Sequence, residues 1–221
     1  MKVAEIKLAF ESLKDDNRAI GMKAYMKNQF DFYGVNSPGR KSIQKECFPE
    51  ILKLETNKIW SLVLDLWEEK ERELQLFAID LMNKIPKKRY RLEDMELIEK
   101  TLSNKQWWDT VDAIASNIVG KWFLVFPEQR DNWLKKWRST DDFWLHRTCL
   151  IFQLKYKDQT DIELLEELIE QFKTNKEFFI QKAIGWTLRQ YSRENAALVE
   201  DIVANQELSG LAKREALRLI H

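Results

Sequence analysis

Apolar residues recur along most of the chain at spacings of three and four, whereas alternating runs of β-branched residues bounded by turns are almost absent. The first pattern is typical of amphipathic helices and the second of strands. The chain is therefore predicted to be all-α. Ser37 and Pro38 are predicted as the N-cap and first residue of a helix, Thr56 as the cap of the next helix, and Pro127 as the start of a third. Further helices are predicted over residues 17–31, 71–84, 91–102, 105–121, 141–156, 160–173, 176–193, 195–205 and 209–220.

A repeat is visible from the middle of the chain onward. Similar helix segments follow one another at intervals of 35, 35, 35 and 33 residues. These segments are centred on Ala78, Ala113, Thr148, Ala183 and Ala216. A period of this length is typical of helical hairpins that stack into a solenoid with one concave and one convex face. Because the consensus residues of tetratricopeptide repeats do not recur, we predict a HEAT-like α-solenoid of antiparallel hairpins with a concave groove, forming a single domain over residues 1–221.

Equivalent positions on stacked helices form a row along one face, and one such row carries charge. Asp112, Arg147 and Lys182 share the same position of the repeat. Neighbouring helices in such stacks lie about 8–10 Å apart, so the row places a carboxylate beside two cations. The alternative interpretation is that the three are unrelated polar positions on a solvated helix face, where charged residues are common.

Charge is separated between helices, although the chain as a whole is neutral, with 36 basic and 36 acidic residues. The predicted helix 176–193 carries a basic face formed by Lys182, Arg189 and Arg193 around Trp186. The helix before it is acidic, through Asp161, Glu163, Glu166, Glu167 and Glu170. This separation would let a neutral protein present a basic groove to a polyanion.

The tryptophans divide into packing residues and candidates for the groove. Most are assigned to packing, because large aromatic side chains mostly fill cores. Those residues are Trp60, Trp67, Trp122, Trp133 and Trp137. Trp108 and Asp112 are four residues apart and share one side of a helix. The adjacent Trp107 must face elsewhere and is predicted to pack inward.

Composition excludes several classes of protein. Cys47 and Cys149 lie far apart and have only His146 and His221 as possible imidazole partners, so we expect neither a zinc site nor a disulfide framework. No apolar run approaches the ~18 residues of a membrane span, and the first residues lack the apolar segment of a signal peptide. We expect a cytoplasmic protein with no metal or other cofactor.

Five longer segments, taken in order, resemble the AlkD-like family of HEAT-repeat DNA glycosylases. They are AYMKNQFDFYGV, NSPGRK, QWWDTVD, FWLHRTCLIFQLKYK and EFFIQKAIGWTLRQY. Together they extend over nearly the whole chain. The resemblance implies an all-helical solenoid that holds duplex DNA in its concave groove and is associated with the nucleoid through that binding.

The resemblance also assigns roles to individual residues. The implied catalytic residues are Asp112 as the carboxylate, Trp108 and Trp186 as groove tryptophans, and Arg147 as the arginine of the site. Tyr25 matches the N-terminal aromatic residue of the lesion site. Contacts to the DNA backbone are implied at Ser37, Arg40, Lys155, Lys157, Lys182 and Arg189, and the basic face adds Arg193.

The implied partner is double-stranded DNA containing purines alkylated at N3 or N7, with no membrane and no obligate protein partner. Such a base is already cationic and leaves as a neutral molecule, so it needs no general acid. A carboxylate at Asp112 would stabilise oxocarbenium character in the sugar and orient a water molecule. The aromatics are spread along a groove, which predicts tolerance of bulky adducts without deep base flipping. No lysine is placed by pattern as a Schiff-base nucleophile, so we do not expect strand cleavage.

Two other functions stay open on the sequence. A non-catalytic HEAT-repeat protein would bind DNA through the same groove, although the presence of Asp112 favours excision. A protein-binding HEAT scaffold predicts apolar patches on the concave face and no salt-dependent affinity for DNA. The scaffold is disfavoured by the basic row of Arg147, Lys182, Arg189 and Arg193.

Overall fold

The computed structural model describes residues 2–220, and most of these residues are helical. The helices are α1 (Val3–Glu11), α2 (Asp16–Tyr25), α3 (Ser37–Ile51), α4 (Thr56–Glu68), α5 (Arg72–Lys84), α6 (Asp94–Leu102), α7 (Trp108–Ile114), α8 (Gly120–Val125), α9 (Arg130–Arg138), α10 (Phe143–Ile151), α11 (Ile162–Phe172), α12 (Phe178–Tyr191), α13 (Ala196–Asn205) and α14 (Gly210–Leu217). Within residues 2–220, extended pairing is limited to an isolated bridge between Asp31 and Glu71. The predicted all-α fold class is confirmed.

The packing divides the chain into two compact units, with the boundary between Leu97 and Ile98. In the first unit α1 packs on α3 and α4, and α5 packs on both of those helices. Phe77 of α5 lies at the centre of this core, with its ring edge-on to Phe10 and to Phe48. A fully buried side chain of this size contributes about 1.5–3 kcal/mol, so this aromatic cluster is a main source of the unit's stability.

Helix α1 was not predicted, and α2 is shorter than predicted. Ile6 and Phe10, four residues apart, bury the inner face of α1 completely. Helix α2 was expected to reach residue 31 but ends at Tyr25. Lys27 and Asn28 adopt left-handed φ angles of 56° and 58°, which an α-helix cannot contain. The chain then runs extended toward α3.

Two predicted helix starts are displaced by one residue. Ser37 was predicted as the N-cap of α3, but the cap is Asn36, whose side chain accepts a hydrogen bond from the Gly39 amide. Thr56 was predicted as a cap, whereas it is the first residue of α4 and Glu55 precedes it. Asparagine caps helices as well as serine does, so the sequence alone left the choice open.

A buried carboxylate fixes the segment that leads into α3. Glu73 of α5 is inaccessible to solvent and accepts hydrogen bonds from the amides of Tyr33, Gly34 and Val35 at 3.2, 2.9 and 3.0 Å. Burial raises the pKa of Glu73, while these amides oppose the rise. Gly34 has a φ of +85° and lies so close to Asp15 that no side chain would fit there. Glu73 therefore anchors a tight crossing of the backbone.

The second unit is a series of stacked hairpins. Helix α10 packs on α7 and α12, and α12 packs on α14. Helices α9, α11 and α13 each contact a neighbouring member of that series. Members of successive repeats meet side by side: Asp112 pairs with Arg147, and Lys182 pairs with Glu215. These pairs confirm the predicted register for this unit, while the single-domain organisation of the whole chain stays a prediction.

Helices α12 and α14 approach each other unusually closely at Gly185. A Cβ atom built there would lie 2.4 Å from the Cβ atom of Glu215 and 2.7 Å from the carbonyl oxygen of Ala212. Distances below 3 Å do not occur between real side chains, so only glycine allows this contact. The approach places the Glu215 side chain directly against α12.

A π-helical turn, Ala115–Val119, connects α7 to α8 without a break. Such turns close i→i+5 hydrogen bonds, and here the Gly120 amide donates to the Ala115 carbonyl oxygen. Two side chains satisfy nearby carbonyl groups: Ser116 Oγ donates to the Asp112 oxygen at 2.7 Å, and Asn117 Nδ2 donates to the Ala113 oxygen at 2.8 Å. The irregular turn begins three residues after Asp112, and π turns are frequent at functional sites.

Candidate functional site

The centre of the candidate site is an ion pair between two stacked helices. Asp112 lies on α7 and Arg147 on α10. Arg147 Nε donates to Asp112 Oδ1 at 2.7 Å, and Arg147 Nη2 donates to Asp112 Oδ2 at 2.8 Å. The two side chains are 16% and 5% exposed. A bidentate pair of this kind fixes the direction of the carboxylate as well as its position.

The third nitrogen of the Arg147 guanidinium group is also hydrogen-bonded. Its Nη1 atom donates to the backbone carbonyl oxygen of Phe179, the second residue of α12. The aromatic rings of Phe179 and Trp186 each lie 5.9 Å from its Cζ atom, within the range of cation–π attraction. Arg147 thus connects helices α7, α10 and α12, and Trp186 lies next to the ion pair.

The electrostatics of Asp112 result from two opposing effects. Burial raises the pKa of this carboxyl group above its usual range, because the charged form loses its solvation. The hydrogen bonds and positive charge of Arg147 act in the opposite direction, and the nearby Asp109 adds to the rise. Arg147 is therefore the group that favours ionised Asp112 in a poorly solvated place.

Trp107 and Trp108 separate as the sequence predicted. The Trp107 ring packs against Trp144 and Phe179, with centroid distances of 5.9 and 5.6 Å. Trp107 caps α7, and Trp108 is the first residue of that helix, partly exposed and one turn before Asp112. The helical spacing puts Trp108 on the side of Asp112. Trp107 therefore packs against aromatic rings as predicted, although, like Trp108, it is only partly buried.

The π turn adds a polar contact beside the ion pair. Lys155 Nζ donates to Asn117 Oδ1, and the same amide group donates to the Ala113 carbonyl oxygen. Asn117 therefore links the exposed Lys155 to the helix that carries Asp112. Lys157 is exposed in the short 3₁₀ turn that follows. Both lysines stay predicted contacts to DNA.

The predicted basic face of α12 is balanced by one carboxylate. Lys182 Nζ lies 2.9 Å from Glu215 Oε1, and Arg189 Nη1 lies 2.5 Å from Glu215 Oε2. The pKa of Glu215 is lowered, first by the hydrogen bond from Lys182. Arg193 lies beyond the end of α12 and is exposed. The face carries its cations as predicted, but two of them are paired within the protein.

Three predicted contacts belong to the first unit. Tyr25, at the end of α2, is 68% exposed. Ser37 is exposed at the start of α3. Arg40, one turn further along, donates from Nε to Asp80 Oδ2 at 3.0 Å and is partly buried. All three stay predictions as DNA-binding residues.

Sequence reasoning missed three participants in the second unit. Phe179 contributes a backbone carbonyl group, which no side-chain pattern reveals. Asn117 acts through a π turn, for which the sequence carries no recognised signal. Glu215 precedes Ala216, the centre of the last repeat segment, as Lys182 precedes Ala183, and this equivalence was the available signal for their pairing.

The described part of the chain carries neither a metal cluster nor a membrane span. Among residues 2–220, no three His, Cys, Asp or Glu side chains are grouped so that they could hold a metal ion. None of the helices in that range combines the length and apolar character needed to cross a membrane. His221, considered from the sequence as a possible imidazole ligand, lies outside the described residues.

Fold and site together define an all-helical protein of stacked hairpins with a carboxylate–arginine pair among aromatic rings. Residues 6–220 match the family of DNA alkylation repair enzymes, and the chain belongs to that family. A solved structure described as "Predicted DNA alkylation repair enzyme from Enterococcus faecalis" is 35% identical and superposes with a TM-score of 0.86, covering 93% of this chain and 95% of that chain. No curated protein matches the sequence. Family membership supports a role in the repair of alkylated DNA.

Proposed function

We propose that the protein is a DNA glycosylase that hydrolyses the N-glycosidic bond of cationic N3- and N7-alkylated purines in duplex DNA. The observation that carries the proposal is the partly buried carboxylate of Asp112, fixed in direction by Arg147 and adjoined by Trp186. Family membership supplies alkylated DNA as the substrate class. The site provides the carboxylate that hydrolysis of such a substrate would need.

The proposed chemistry requires one anionic group and no general acid. The bond between C1′ and the base nitrogen breaks with its electron pair going to the cationic base, which leaves neutral. The sugar then develops positive charge, and the ionised Asp112 stabilises it. A water oxygen forms the new bond to C1′ and releases a proton to Asp112 or to solvent. Each oxygen of Asp112 accepts one hydrogen bond from Arg147 and keeps a second lone pair for this task.

Arg147 acts in this proposal through Asp112. Its bonds to the carboxylate and to the Phe179 carbonyl group use three of the five guanidinium donors. Arg147 therefore favours the ionised form of Asp112 and fixes the orientation of its carboxylate group. We also expect Arg147 to bind a phosphate that flanks the lesion, and its two remaining donors would make that contact.

Aromatic rings would select the charged lesion. A ring face near a cationic base or sugar contributes about 0.5–2 kcal/mol of cation–π attraction. Trp186 lies beside Arg147, and Trp108 shares a helix side with Asp112. Tyr25, in the first unit, stays a predicted aromatic contact of the lesion. The proposed enzyme is monofunctional and leaves the abasic strand uncut, because the sequence places no lysine by pattern as a Schiff-base nucleophile. Lys155, beside the ion pair, donates to Asn117 Oδ1.

The test is release of free 7-methylguanine from methylated duplex DNA. We expect the parent protein to release the base and Asp112→Asn, which keeps the shape but removes the charge, to lose at least a hundredfold in single-turnover rate, on the order of one electrostatic catalytic group. Asp141→Asn, an exposed carboxylate ahead of α10, is the matched control and should excise normally. Salt-dependent DNA binding by the parent without any release would refute the proposal and favour the non-catalytic DNA-binding function.

A further inference from the structure

The two cations of α12 expected to meet DNA are already occupied by a carboxylate of their own chain. Glu215 offers one oxygen to Lys182 and the other to Arg189, at 2.9 and 2.5 Å. A lysine and an arginine bind a DNA backbone phosphate in the same way, each contacting one of two oxygens on the same phosphorus atom. We propose that the Glu215 carboxylate occupies the position of a DNA phosphate, and that a phosphate displaces it when DNA binds α12. This inference rests on the proposed function, because it assumes that α12 faces DNA.

The position of Glu215 is built into the fold. Gly185 lies between Lys182 and Arg189 on α12, and the missing Cβ atom there lets the Glu215 Cβ atom approach the helix backbone. A carboxylate placed at that point reaches one cation on the turn before and one on the turn after. With any other residue at position 185 the two helices would have to separate. The pairing is therefore specified by packing and not by a chance meeting of surface charges.

The ion pairs are placed so that an exchange is possible. Lys182 and Arg189 are 34% and 22% exposed, and Glu215 is 13% exposed. Pairs between such partly solvated groups contribute little to stability, so a phosphate can compete for the cations. Phosphate binding also releases counterions from the DNA, which favours the exchange at low salt. The flexible stems of both cations allow them to turn from Glu215 toward a ligand.

Displacement would make the affinity for DNA lower than the number of basic residues implies. Each binding event has to break the pairs with Glu215 before the phosphate contacts form. DNA that does not offer a phosphate at this point leaves Glu215 in place and binds less tightly. Glu215 would thus discriminate in favour of correctly seated duplex DNA.

The experiment is a titration of an undamaged duplex at several salt concentrations, with the parent protein and Glu215→Gln. We expect Glu215→Gln to bind about fivefold more tightly, since two ion pairs of ordinary strength no longer have to be broken. The slope of log affinity against log salt should stay unchanged, because the same phosphates are contacted in both complexes. Glu163→Gln, an exposed carboxylate on α11, removes the same charge and should change the affinity less than twofold. Lys182→Gln should lower the magnitude of the slope by about 0.9.

Three results would overturn the inference. Weaker binding by Glu215→Gln would mean that Glu215 only positions the two cations. A change equal to that of Glu163→Gln would mean that the cations do not meet DNA. A steeper salt dependence would mean that the carboxylate stays in place in the parent complex. If Glu215→Gln melts well below the parent, Glu215→Asp, with a retracted carboxylate, must show the same tighter binding. The binding assay uses undamaged DNA and does not depend on excision. The release of 7-methylguanine by the parent therefore tests the proposed function separately.

Discussion

Asp112 and Arg147 are 35 residues apart in the chain and meet through two parallel hydrogen bonds of 2.7 and 2.8 Å. Both side chains are mostly buried, so the ion pair replaces the contacts with water that each charge has lost. This dependence makes the pair sensitive to loss of one partner and much less sensitive to loss of both. It also makes the pair a probe of the proposed function, because stability and excision can be measured on the same variants.

Replacing Arg147 by alanine should lower the free energy of unfolding by about 3 kcal/mol, because a mostly buried carboxylate is left without its partner. Denaturant unfolding followed by circular dichroism measures this change. The double variant Asp112→Leu with Arg147→Met should lose clearly less. Arg147→Met alone keeps the length of the arginine stem and removes only the charge, so it should lose more than the double variant. A loss in Arg147→Met no larger than in the double variant would show that the unpaired carboxylate is not what matters.

Excision should fall on acidification at a higher pH than an ordinary aspartate would give. The active form of Asp112 is the ionised one, and burial raises its pKa, so protonation sets in earlier as the pH is lowered. In Arg147→Ala the opposing positive charge is gone, and the acid limb should move further toward neutral pH. Single-turnover release of 7-methylguanine across pH, with saturating protein, measures the acid limb of the parent and that of the variant. A limb that does not move in the variant would contradict the assigned role of Arg147.

Alanine substitution at two helical glycines should have opposite effects on stability. Gly185→Ala forces α12 and α14 apart, since the new Cβ atom would lie 2.4 Å from that of Glu215, and should cost about 1–3 kcal/mol. Gly21 lies on α2 with nothing within 4 Å of an added Cβ atom, so Gly21→Ala should stabilise the helix by about 0.5–1 kcal/mol. Thermal melting of both variants is the measurement. Similar shifts would argue against the close helix contact.

Glu73→Gln should destabilise the first unit by about 1–2 kcal/mol, and Glu73→Ala by more. The carboxylate accepts hydrogen bonds from three backbone amides, whereas an amide side chain retains only one oxygen for them. Alanine leaves all three buried N–H groups without that acceptor. Amide hydrogen exchange at Tyr33, Gly34 and Val35 gives a local measurement, and unchanged protection in both variants would exclude Glu73 as the anchor.

The repeat register explains why much of the second unit could be predicted. A spacing of 35 residues correctly placed Asp112 opposite Arg147, because stacked hairpins of equal length keep equivalent positions side by side. The last interval of the repeat, 33 residues, places Glu215 opposite Lys182. A register gives the neighbours, however, and not the side chain that each one binds. The close approach at Gly185 decides that Lys182 and Arg189 share one carboxylate.

Other features were predicted wrongly or not at all, for different reasons. Helix α2 stops where Lys27 and Asn28 take left-handed angles; Asn28 is a residue type that favours this conformation, whereas Lys27 carries no such signal. Helix α1 has a signal in the spacing of Ile6 and Phe10, but two inward positions are a weak pattern for a helix. The bond to the Phe179 carbonyl group required the tertiary structure.

The π turn after Asp112 has a consequence for the spacing of contacts along its helix. Asp112 faces Arg147. Gly120, eight residues later, lies against Phe152, and the Gly120 carbonyl oxygen accepts a hydrogen bond from the Tyr156 hydroxyl group. Seven residues make nearly two turns of a regular α-helix, so eight would leave the second position rotated away. The π turn absorbs the additional residue and keeps both contacts directed at the same neighbouring repeat. Chain length within this helix, and not the identity of any side chain, is what keeps the carboxylate and the packing glycine in phase.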